Sequence, residues 1–534
     1  MTSRNLVSQW HGHSLLNMLK LHTTSPYHPF SYSIKRFIGL SRCNYSKKNI
    51  LRLRDERKGF IHDVFPLGSA SELAEWLKGG SRTIYAGFDP TADSLHIGNL
   101  LVIMAMIHAQ RAGHRVFALV GGATAKIGDP SGKTSERPSL DDKTIGRNVA
   151  GITENLERVF LNHQELMSSE RQSHLTAPTS DMIPIQIVNN DTWYDKINII
   201  NFLRTAGRKF RMGKLLSRDS VQVRLSTGDT KDGGKADPDG GLSFTEFTYQ
   251  VFQAYDWFHL RHHYGCSIQI GGSDQMGNIA TGHEFITKFD KSPDKWKLIY
   301  DGANNSKSSN SGEIPAYGIL LPLVTNESGD KFGKSENGQN RVWLSAKKTT
   351  PYDFYQFFLR LPDSQIEKML YFYTLLPSTE ITDLMNIHER ESEKRHPHKK
   401  LAECLTRLVH GTQGLDLAVK TTDILYGSGE HDKDISLKLA SLSQSEMSTI
   451  FSQANHIRLM FTPGISIIDF SLKIGCFKRE QDAQRIIAAG GFYVNQVRRT
   501  NVDELLIAGV HILSNNLTLV RVGKRNYFLI EWTM

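Results

Sequence analysis

Two short motifs carry side chains suited to holding negative charge. His96-Ile97-Gly98-Asn99 lies where a turn-rich segment meets a helix-forming one. A helix start offers unpaired N–H groups and a partial positive charge, Gly98 lets a ligand approach the backbone closely, and His96 could stabilise charge on a phosphate. Some 235 residues later, Lys331-Phe332-Gly333-Lys334-Ser335 offers two lysines and a hydroxyl in a glycine-bearing loop. Together they predict displacement at the α-phosphate of a nucleoside triphosphate, because the leaving pyrophosphate needs cations and donors.

A third segment only superficially resembles a phosphate-binding loop. Gly128-Asp129-Pro130-Ser131-Gly132-Lys133-Thr134 ends like a P-loop, but three residues separate its first glycine from Gly132 where a P-loop has four. A proline also interrupts it. The sequence therefore predicts no P-loop here.

The elements around the first motif predict a parallel sheet. Arg82–Phe88 reads as a strand, Ile97–Gln110 as a helix that is apolar nearly all round, and Val116–Val120 as a second strand. Gly113 offers a stop after the helix. Strand, buried helix and strand form a βαβ unit, which favours an α/β sheet whose ligands bind at the carboxyl ends of its strands.

The rest of the chain divides by composition. Residues 229–241 and 302–313 are rich in Gly, Asp, Asn and Ser, which predicts mobile surface loops. From Pro351 the spacing becomes helical and aromatic-rich. A short helical connector is expected before Thr462, and the last 70 residues are predicted to form a small α+β unit.

The positive charge is concentrated at the amino terminus. The formal net charge is +9, and residues 1–54 contain nine Lys or Arg and no acid, so the remaining 55 basic and 55 acidic residues balance. This segment is also Ser-rich and has no single apolar block, which is typical of a mitochondrial transit peptide. A plain disordered basic tail is the alternative.

The remaining composition excludes several classes of protein. The four cysteines stand far apart with no C-x-x-C pair, so neither a disulfide framework nor a cysteine zinc site is expected. No stretch approaches the 18 uncharged apolar residues of a membrane span. We therefore expect no protein-bound metal, no organic cofactor and no membrane association.

At this point the motifs resemble those of a known family. The segment 85–99, Tyr85-Ala86-Gly87-Phe88-Asp89-Pro90-Thr91-Ala92-Asp93-Ser94-Leu95-His96-Ile97-Gly98-Asn99, is similar to the signature of tyrosyl-tRNA synthetases of the bacterial and mitochondrial branch. Matching blocks follow in the family's order at 121–124, 128–132, 243–247, 253–256, 269–275 and 331–335. The resemblance covers roughly residues 60–534. The chain departs from the family at Asn99, which replaces the second histidine of the common His-x-Gly-His form, and at Ala86 and Val102, where some bacterial members have polar groups near the ribose.

The resemblance implies a role for each matching residue. Six residues are expected to contact the tyrosine substrate. Tyr85 and Asp256 would hydrogen-bond its phenol, Asp129, Tyr249 and Gln253 would bind its α-ammonium group, and Gln269 would make a further contact. The expected ATP-binding residues are Asp89, His96, Gly98, Gly272, Asp274 and Lys334. The expected catalytic groups around the triphosphate are Thr91, His96, Asn99, Lys133, Arg137, Lys331, Lys334 and Ser335.

The carboxyl-terminal unit resembles a small RNA-binding module shared with a ribosomal protein. Its candidate phosphate contacts are Lys473, Lys478, Arg479, Arg485, Arg498 and Arg499. From residue 465 onward, nine basic residues stand against six acidic ones, so charge alone supports this only modestly.

The resemblance implies the following organisation: a transit peptide (1–54), a Rossmann-like α/β catalytic domain (55–345) with an inserted dimerisation region (145–245), an α-helical anticodon-binding domain (346–460) and the RNA-binding module (461–534). The expected enzyme is a tyrosine–tRNA ligase of the mitochondrial matrix. Its substrates would be L-tyrosine, ATP with Mg²⁺ and mitochondrial tRNA(Tyr). The family is homodimeric, with Phe244 in the dimerisation region.

Three other interpretations stay open. A tryptophan-specific synthetase is the most similar alternative, although the expected hydrogen bonds from Tyr85 and Asp256 to a phenol suit tyrosine better. A small-molecule adenylyltransferase shares the His-x-Gly helix start but would lack two RNA-binding appendages. A splicing cofactor derived from a synthetase would need an extra basic surface, and residues 229–241 hold two lysines against four aspartates.

Overall fold

The computed structural model describes residues 49–131, 139–172, 182–226, 241–290, 315–325, 341–426, 439–440, 455–523 and 526–533. The predicted loop 302–313 and all but the last residue of 229–241 lie outside these ranges, as do residues 1–48 of the predicted leader.

The first part of the described chain, up to β6, alternates strands and helices. Its strands are β1 (Asp63–Phe65), β2 (Thr83–Phe88), β3 (Arg115–Val120), β4 (Gln186–Asn189), β5 (Cys266–Gly272) and β6 (Tyr317–Leu321). Its helices are α1 (Leu53–Glu56), α2 (Ala70–Lys78), α3 (Ile97–Arg111), α4 (Asp142–Gln172), α5 (Asp191–Tyr194), α6 (Ile199–Thr205), α7 (Met212–Leu216), α8 (Asp219–Ser226), α9 (Phe244–Tyr264) and α10 (Met276–Asp290).

The sheet has a topological switch point at its centre. Its strand order is β1-β6-β5-β2-β3-β4, with β1 antiparallel to β6 and the other pairs parallel. The chain runs from β2 outward through β3 and β4, then returns to place β5 on the other side of β2. Ligands of open α/β sheets bind at such a reversal, outside the carboxyl ends of the strands. The α/β prediction is confirmed.

Helix α3 forms the buried crossover that the sequence predicts. Most of its residues are buried, as its nearly continuous apolar composition requires, and Gly113 follows it with φ +85°. The predicted strand, helix and strand agree with β2, α3 and β3 to within one residue at each end. The βαβ interpretation is therefore confirmed.

The helices that follow pack on the same core. They are α11 (Pro351–Leu359), α12 (Asp363–Tyr373), α13 (Ser378–Arg390) and α14 (His396–Tyr426). Gly411 interrupts α14 with φ +74°, and Asn162 of α4 donates to the carbonyl of Leu408 at 2.9 Å. Apolar residues of α4 and α14 belong to one hydrophobic cluster with residues of the sheet. The helical region therefore shares a hydrophobic core with the sheet.

The carboxyl-terminal module is a five-stranded sheet with two helices. Its elements are β7 (Asn455–Met460), α15 (Ile467–Lys473), α16 (Glu480–Ala488), β8 (Phe492–Val494), β9 (Val497–Arg499), β10 (Leu517–Val522) and β11 (Asn526–Thr533). The sheet order is β7-β11-β10-β8-β9, and β7 runs parallel to β11.

Strand β7 differs from the helical connector expected before Thr462. Ile457 and Leu459 alternate with exposed residues and pack against the module's core, which is the period of a half-buried strand. Because β7 completes this sheet, the module begins by Asn455 and not at 461.

The folded body also begins before residue 55. Ile50 and Leu53 are buried in the main hydrophobic cluster, although both fall inside the predicted leader. None of the helices in the described part of the chain is long and apolar enough to span a membrane.

Candidate functional site

The site lies at the switch point, where three strands end. Asp89 follows β2, Gly121 follows β3, and Gly272 closes β5. A Cβ atom on Gly121 would lie 2.1 Å from Oδ1 of Asp89 and 2.2 Å from Oγ1 of Thr124. Glycine is therefore required at position 121 if the Asp89 carboxylate is to sit against the end of β3.

Two buried polar side chains face each other across neighbouring strands. Tyr85 of β2 and Gln269 of β5 are partners in the parallel register. Among the described residues, neither the Tyr85 hydroxyl nor Oε1 of Gln269 has a hydrogen-bond partner. Buried polar groups are normally paired, so these two atoms point to a bound molecule with matching polar groups.

Asp256 of α9 adds a carboxylate to this pocket. The Trp193 indole N–H donates to Oδ1 at 3.0 Å, and the Asn190 side-chain amide donates to Oδ2 at 3.1 Å. Burial raises the pKa of Asp256 to about 7, although these donors partly offset it. Burial and then the nearby Cys266 and Asp256 also raise the pKa of the Tyr85 hydroxyl, so that hydroxyl stays protonated.

A second polar group lies around Asp129, where the sequence predicts an ammonium site. Oδ2 of Asp129 accepts from the Gln275 side chain at 2.9 Å, and Oδ1 accepts from the Ser131 backbone N–H at 2.9 Å. Asn278 donates to Oε1 of Gln253 at 3.0 Å and to Oε1 of Gln275 at 3.1 Å. Asn278 thus links Asp129 and Gln253 through Gln275 into one network rich in acceptors.

Tyr249 joins the predicted amino-acid and ATP residues. Its hydroxyl donates to Oδ2 of Asp89 at 2.7 Å, and Oδ1 of Asp89 accepts from the Thr124 hydroxyl at 2.8 Å. Burial and the adjacent Asp89 carboxylate raise the pKa of Tyr249 well above its ordinary value. Because its proton is committed to Asp89, the Tyr249 oxygen can only accept from a further ligand, as an ammonium group requires.

The His96 motif caps helix α3. Nδ1 of His96 accepts from the Gly98 N–H at 3.1 Å, and Oδ1 of Asn99 accepts from the His96 N–H at 3.1 Å. A neutral imidazole that accepts through Nδ1 carries its proton on Nε2, and an Asn99 that accepts through Oδ1 keeps its NH₂ as a donor. Both side chains thus have a donor suited to phosphate. The nearby Thr91 is exposed.

The remaining predicted ATP residues follow β5. Asp274 lies in the turn after Gly272, and a Cβ on Gly272 would come within 2.6 Å of the Asp274 carboxylate. The five predicted groups around the pyrophosphate, Lys133, Arg137, Lys331, Lys334 and Ser335, lie outside the described residues.

The predicted RNA contacts differ in their surroundings. The side chains of Lys473, Lys478, Arg479, Arg485 and Arg498 are exposed. Arg498, however, donates to the carbonyls of Gly490 and Ala489 at 3.0 and 2.8 Å, and the half-buried Arg499 pairs with Glu504 at 2.8 Å. Arg485 pairs with Asp482 at 2.9 Å. Three of the six candidate side chains, Arg485, Arg498 and Arg499, are therefore engaged within the module.

Within the described ranges, one group of side chains has the composition of a metal site. Nε2 of His398 and Nε2 of His388 lie 3.1 and 3.5 Å from Oδ1 of Asp363. The Arg395 guanidinium lies 3.9 Å from the same oxygen, and the Leu361 carbonyl lies 3.0 Å from Nε2 of His398. Two imidazoles and the Arg395 guanidinium therefore already surround the Asp363 carboxylate, and the group belongs to the helical region.

Several residues of the pocket were not predicted from the sequence. Asn190, Trp193, Thr124, Gln275 and Asn278 all hydrogen-bond predicted site residues. Gln275 could have been found, since it follows Asp274 directly in a block that carries the resemblance. Asn190 and Trp193 lie more than 60 residues from Asp256, and no local pattern marks them.

The parallel sheet, its switch point and the His-x-Gly helix start are the features of the class I synthetase fold. The family model described as "tRNA synthetases class I (W and Y)" matches residues 78–427, more than half of the chain. This chain therefore belongs to the tryptophan- and tyrosine-specific class I tRNA synthetases, which are ATP-using ligases.

Individual relatives are similar over almost the whole chain. The Drosophila melanogaster mitochondrial tyrosine–tRNA ligase is 46% identical over 91% of this chain and 95% of its own length. The Homo sapiens mitochondrial tyrosine–tRNA ligase is 39% identical over 93% and 94%. A solved structure, the carboxyl-terminally truncated mitochondrial tyrosyl-tRNA synthetase of Aspergillus nidulans, matches with a TM-score of 0.58 and 29% identity over 71% of this chain and 95% of that one.

Proposed function

We propose that this chain is the tyrosine–tRNA ligase of mitochondria. In the first step a tyrosine carboxylate oxygen attacks the α-phosphorus of ATP, which forms tyrosyl-adenylate and releases pyrophosphate. In the second step a terminal ribose hydroxyl of mitochondrial tRNA(Tyr) attacks the tyrosyl carbonyl carbon and AMP leaves. Neither step needs a covalent enzyme intermediate, so positioning and electrostatic stabilisation carry the catalysis.

The observation that carries the proposal is the buried pair of Tyr85 and Asp256. The Tyr85 hydroxyl has no partner among the described residues, and Asp256 is an acceptor held in place by two donors. A phenol can accept from Tyr85 and donate to Asp256 at once. Phenylalanine would leave the Tyr85 hydroxyl unpaired and give Asp256 no third donor, and an indole could only donate.

The amino-acid backbone would bind at the other end of the pocket. Asp129, Tyr249 and Gln253 offer a carboxylate, a phenolic oxygen and an amide to the α-ammonium group. Gln275 and Asn278 hold Asp129 and Gln253 in position through the hydrogen bonds described above. With the ammonium and the phenol both fixed, the substrate carboxylate is left facing the ATP side.

ATP would bind along the ends of β2 and β5 and the start of α3. Asp274 suits the ribose hydroxyls, and Gly98 and Gly272 allow close approach of the nucleotide. His96 and Asn99 donate to the phosphates, while Thr91, Lys133, Arg137, Lys331, Lys334 and Ser335 retain their predicted role around the pyrophosphate. ATP enters as its Mg²⁺ complex, and the metal lowers the charge of the leaving group.

The test is ATP–pyrophosphate exchange driven by single amino acids. It reports the activation step and needs no tRNA. We expect exchange with tyrosine and at least about 10⁴-fold lower kcat/KM with phenylalanine; tyrosine enzymes of this family are themselves the established example of such discrimination, at about 10⁵-fold. Exchange driven better by tryptophan would replace the proposal with the tryptophan-specific enzyme.

Dimerisation would use the surface formed by α6, α7, α8 and the start of α9. Large apolar side chains stand exposed there, with Phe244 78% and Ile200 66% accessible; the others are Ile199, Leu203, Met212, Val223 and Leu225. Exposed apolar patches of this kind mark protein interfaces, and this one falls in the predicted dimerisation region. Ile200→Glu should give a monomer in sedimentation, while Leu67→Glu, at an exposed leucine elsewhere, should leave the dimer intact.

Transfer RNA would bind the helical region and the carboxyl-terminal module. Lys478 and Arg479 precede α16 and are exposed, and Lys473 ends α15 nearby in sequence. Changing Lys478 and Arg479 to Glu should weaken tRNA affinity at low salt at least tenfold and leave tRNA-independent exchange unchanged. Unaltered affinity would exclude this surface as a docking site.

Mitochondrial import would use the basic leader, with the matrix as the destination. Because Ile50 and Leu53 are buried in the folded body, the leader that can be removed without loss of core contacts ends before Asn49. A reporter fused to residues 1–54 should reach the matrix. A reporter that stays in the cytosol would refute the targeting proposal.

A further inference from the structure

Residues 342–345 pair with the chain around His96. The Ile97 N–H donates to the Val342 carbonyl at 3.0 Å, and the Leu344 N–H donates to the Leu95 carbonyl at 2.8 Å. His96 and Trp343 thereby form an antiparallel bridge. Val342 and Leu344 are buried in the main core, so the bridge has a fixed base.

The Trp343 ring lies beside the imidazole of His96. The two ring centroids are 6.2 Å apart with an edge-to-face angle of 62°. The Lys348 ammonium lies 4.7 Å from the Trp343 ring centroid and also pairs with Asp93. The Trp343 N–H donates to Oγ1 of Thr349 at 3.0 Å. The indole is therefore held by a cation, and its backbone by a hydrogen bond.

Further hydrogen bonds hold the two residues that precede His96. The Ser345 N–H donates to Oγ of Ser94 at 3.1 Å, and Asn155 of α4 accepts from both the Ser94 hydroxyl and the Leu95 N–H, at 2.8 and 3.0 Å. Ser345 and helix α4 thus fix the backbone immediately before His96.

We propose that Trp343 is a positioning residue for adenylate formation, which orients the His96 imidazole. This inference rests on the proposed function, because it assigns His96 to the phosphates. Nδ1 of His96 is held by the Gly98 amide, so the ring can donate to phosphate only through Nε2. The imidazole must therefore be turned so that Nε2 faces the phosphate, and the Trp343 ring is an aromatic neighbour that packs beside it.

The physical consequence is an effect on rate and not on tyrosine binding. Small misplacements of a catalytic group can cost about 10²-fold in rate. Trp343→Leu removes the flat face beside His96 and should lower kcat for ATP–pyrophosphate exchange about 10- to 100-fold, with the KM for tyrosine changed less than about twofold. Trp343→Phe keeps an aromatic face and should recover most of the rate.

A matched control comes from Trp76, which is also half-buried, lies in the same domain and contacts a cation, Arg82. Trp76→Leu should change thermal stability about as much as Trp343→Leu does but leave the exchange kinetics near those of the unchanged chain. Equal kinetic losses in the two leucine variants would overturn the inference, because they would indicate a general loss of packing.

A double-mutant cycle completes the test. In a His96→Ala background, where exchange is already slow, Trp343→Leu should reduce kcat less than about threefold further, because the residue acts through the imidazole. Independent, multiplying losses would overturn the inference while wild-type exchange still supports the proposed function. No tyrosine-driven exchange by the unchanged chain would refute the proposed function and this inference with it.

Discussion

Replacement of Asp256 by asparagine is the sharpest perturbation of the pocket. The carboxylate accepts from Trp193 at 3.0 Å and Asn190 at 3.1 Å, and we assign the tyrosine phenol as its third donor. An asparagine keeps one acceptor oxygen and turns an NH₂ group toward the remaining donors. The variant therefore loses a charge-assisted hydrogen bond to the substrate and leaves one buried donor poorly paired.

The magnitude follows from these two losses. A hydrogen bond to a charged group contributes about 1.5–3 kcal/mol, and an unpaired buried donor costs about 1–3 kcal/mol. A combined loss of about 2.5–6 kcal/mol in transition-state stabilisation corresponds to about 10²- to 10⁴-fold in kcat/KM for tyrosine. Phenylalanine makes no use of the carboxylate, so its kcat/KM should stay within about threefold, and selectivity should fall accordingly.

The assay is ATP–pyrophosphate exchange with tyrosine and phenylalanine measured side by side. Asp195→Asn, the same change at an exposed position near the pocket segment, is the control and should leave both values unchanged. A tyrosine-to-phenylalanine ratio in Asp256→Asn equal to that of the unchanged chain would refute the assignment of Asp256 as the phenol reader.

Three further predictions concern pH and packing. Because burial raises the pKa of Asp256 to about 7, protonation below pH 7 removes the negative charge of the carboxylate and weakens it as an acceptor. The kcat/KM for tyrosine in exchange assays should therefore fall with decreasing pH, and this dependence should flatten in Asp256→Asn. His163 is fully buried with both ring nitrogens unpaired among the described residues, and burial lowers its pKa to about 3. Below about pH 6.5 the unfolded chain therefore binds a proton at His163 that the folded chain does not bind. The free energy of unfolding should consequently decrease as the pH falls below that value. His163→Phe should flatten this acid limb in urea titrations by up to about 1.4 kcal/mol per pH unit. Gly121→Ala places a methyl group 2.1 Å from Oδ1 of Asp89 and should lower exchange kcat/KM at least tenfold, whereas Gly146→Ala, which meets open space, should not.

The sequence predicts most of the fold because the relevant signals are local. The β2–α3–β3 unit follows from periodicity and from one glycine after the helix. The helical spacing of Tyr249 and Asp256 places both on one helix, and α9 confirms it. Strand β7 was missed although Ile457 and Leu459 alternate with polar residues, because a six-residue strand in a connector becomes evident only through its partner β11.

The pocket is predictable only in part. Residues in the family's motif blocks were assigned by resemblance, but what sets their chemistry comes from elsewhere in the chain. The charge and orientation of Asp256 depend on Asn190 and Trp193, which reach it through the end of β4 and through α5. His96 forms an isolated β-bridge with Trp343, which lies far away in the sequence. Long-range contacts of this kind leave no periodic trace in a single sequence.

The most direct test of the central claim is aminoacylation of a mitochondrial tRNA(Tyr) transcript by the full chain with radiolabelled amino acids. The account predicts that tyrosine is esterified to nearly every tRNA(Tyr) molecule, with no charging by tryptophan or phenylalanine and none of tRNA(Trp). Charging with tryptophan, or RNA binding without any charging, would contradict it.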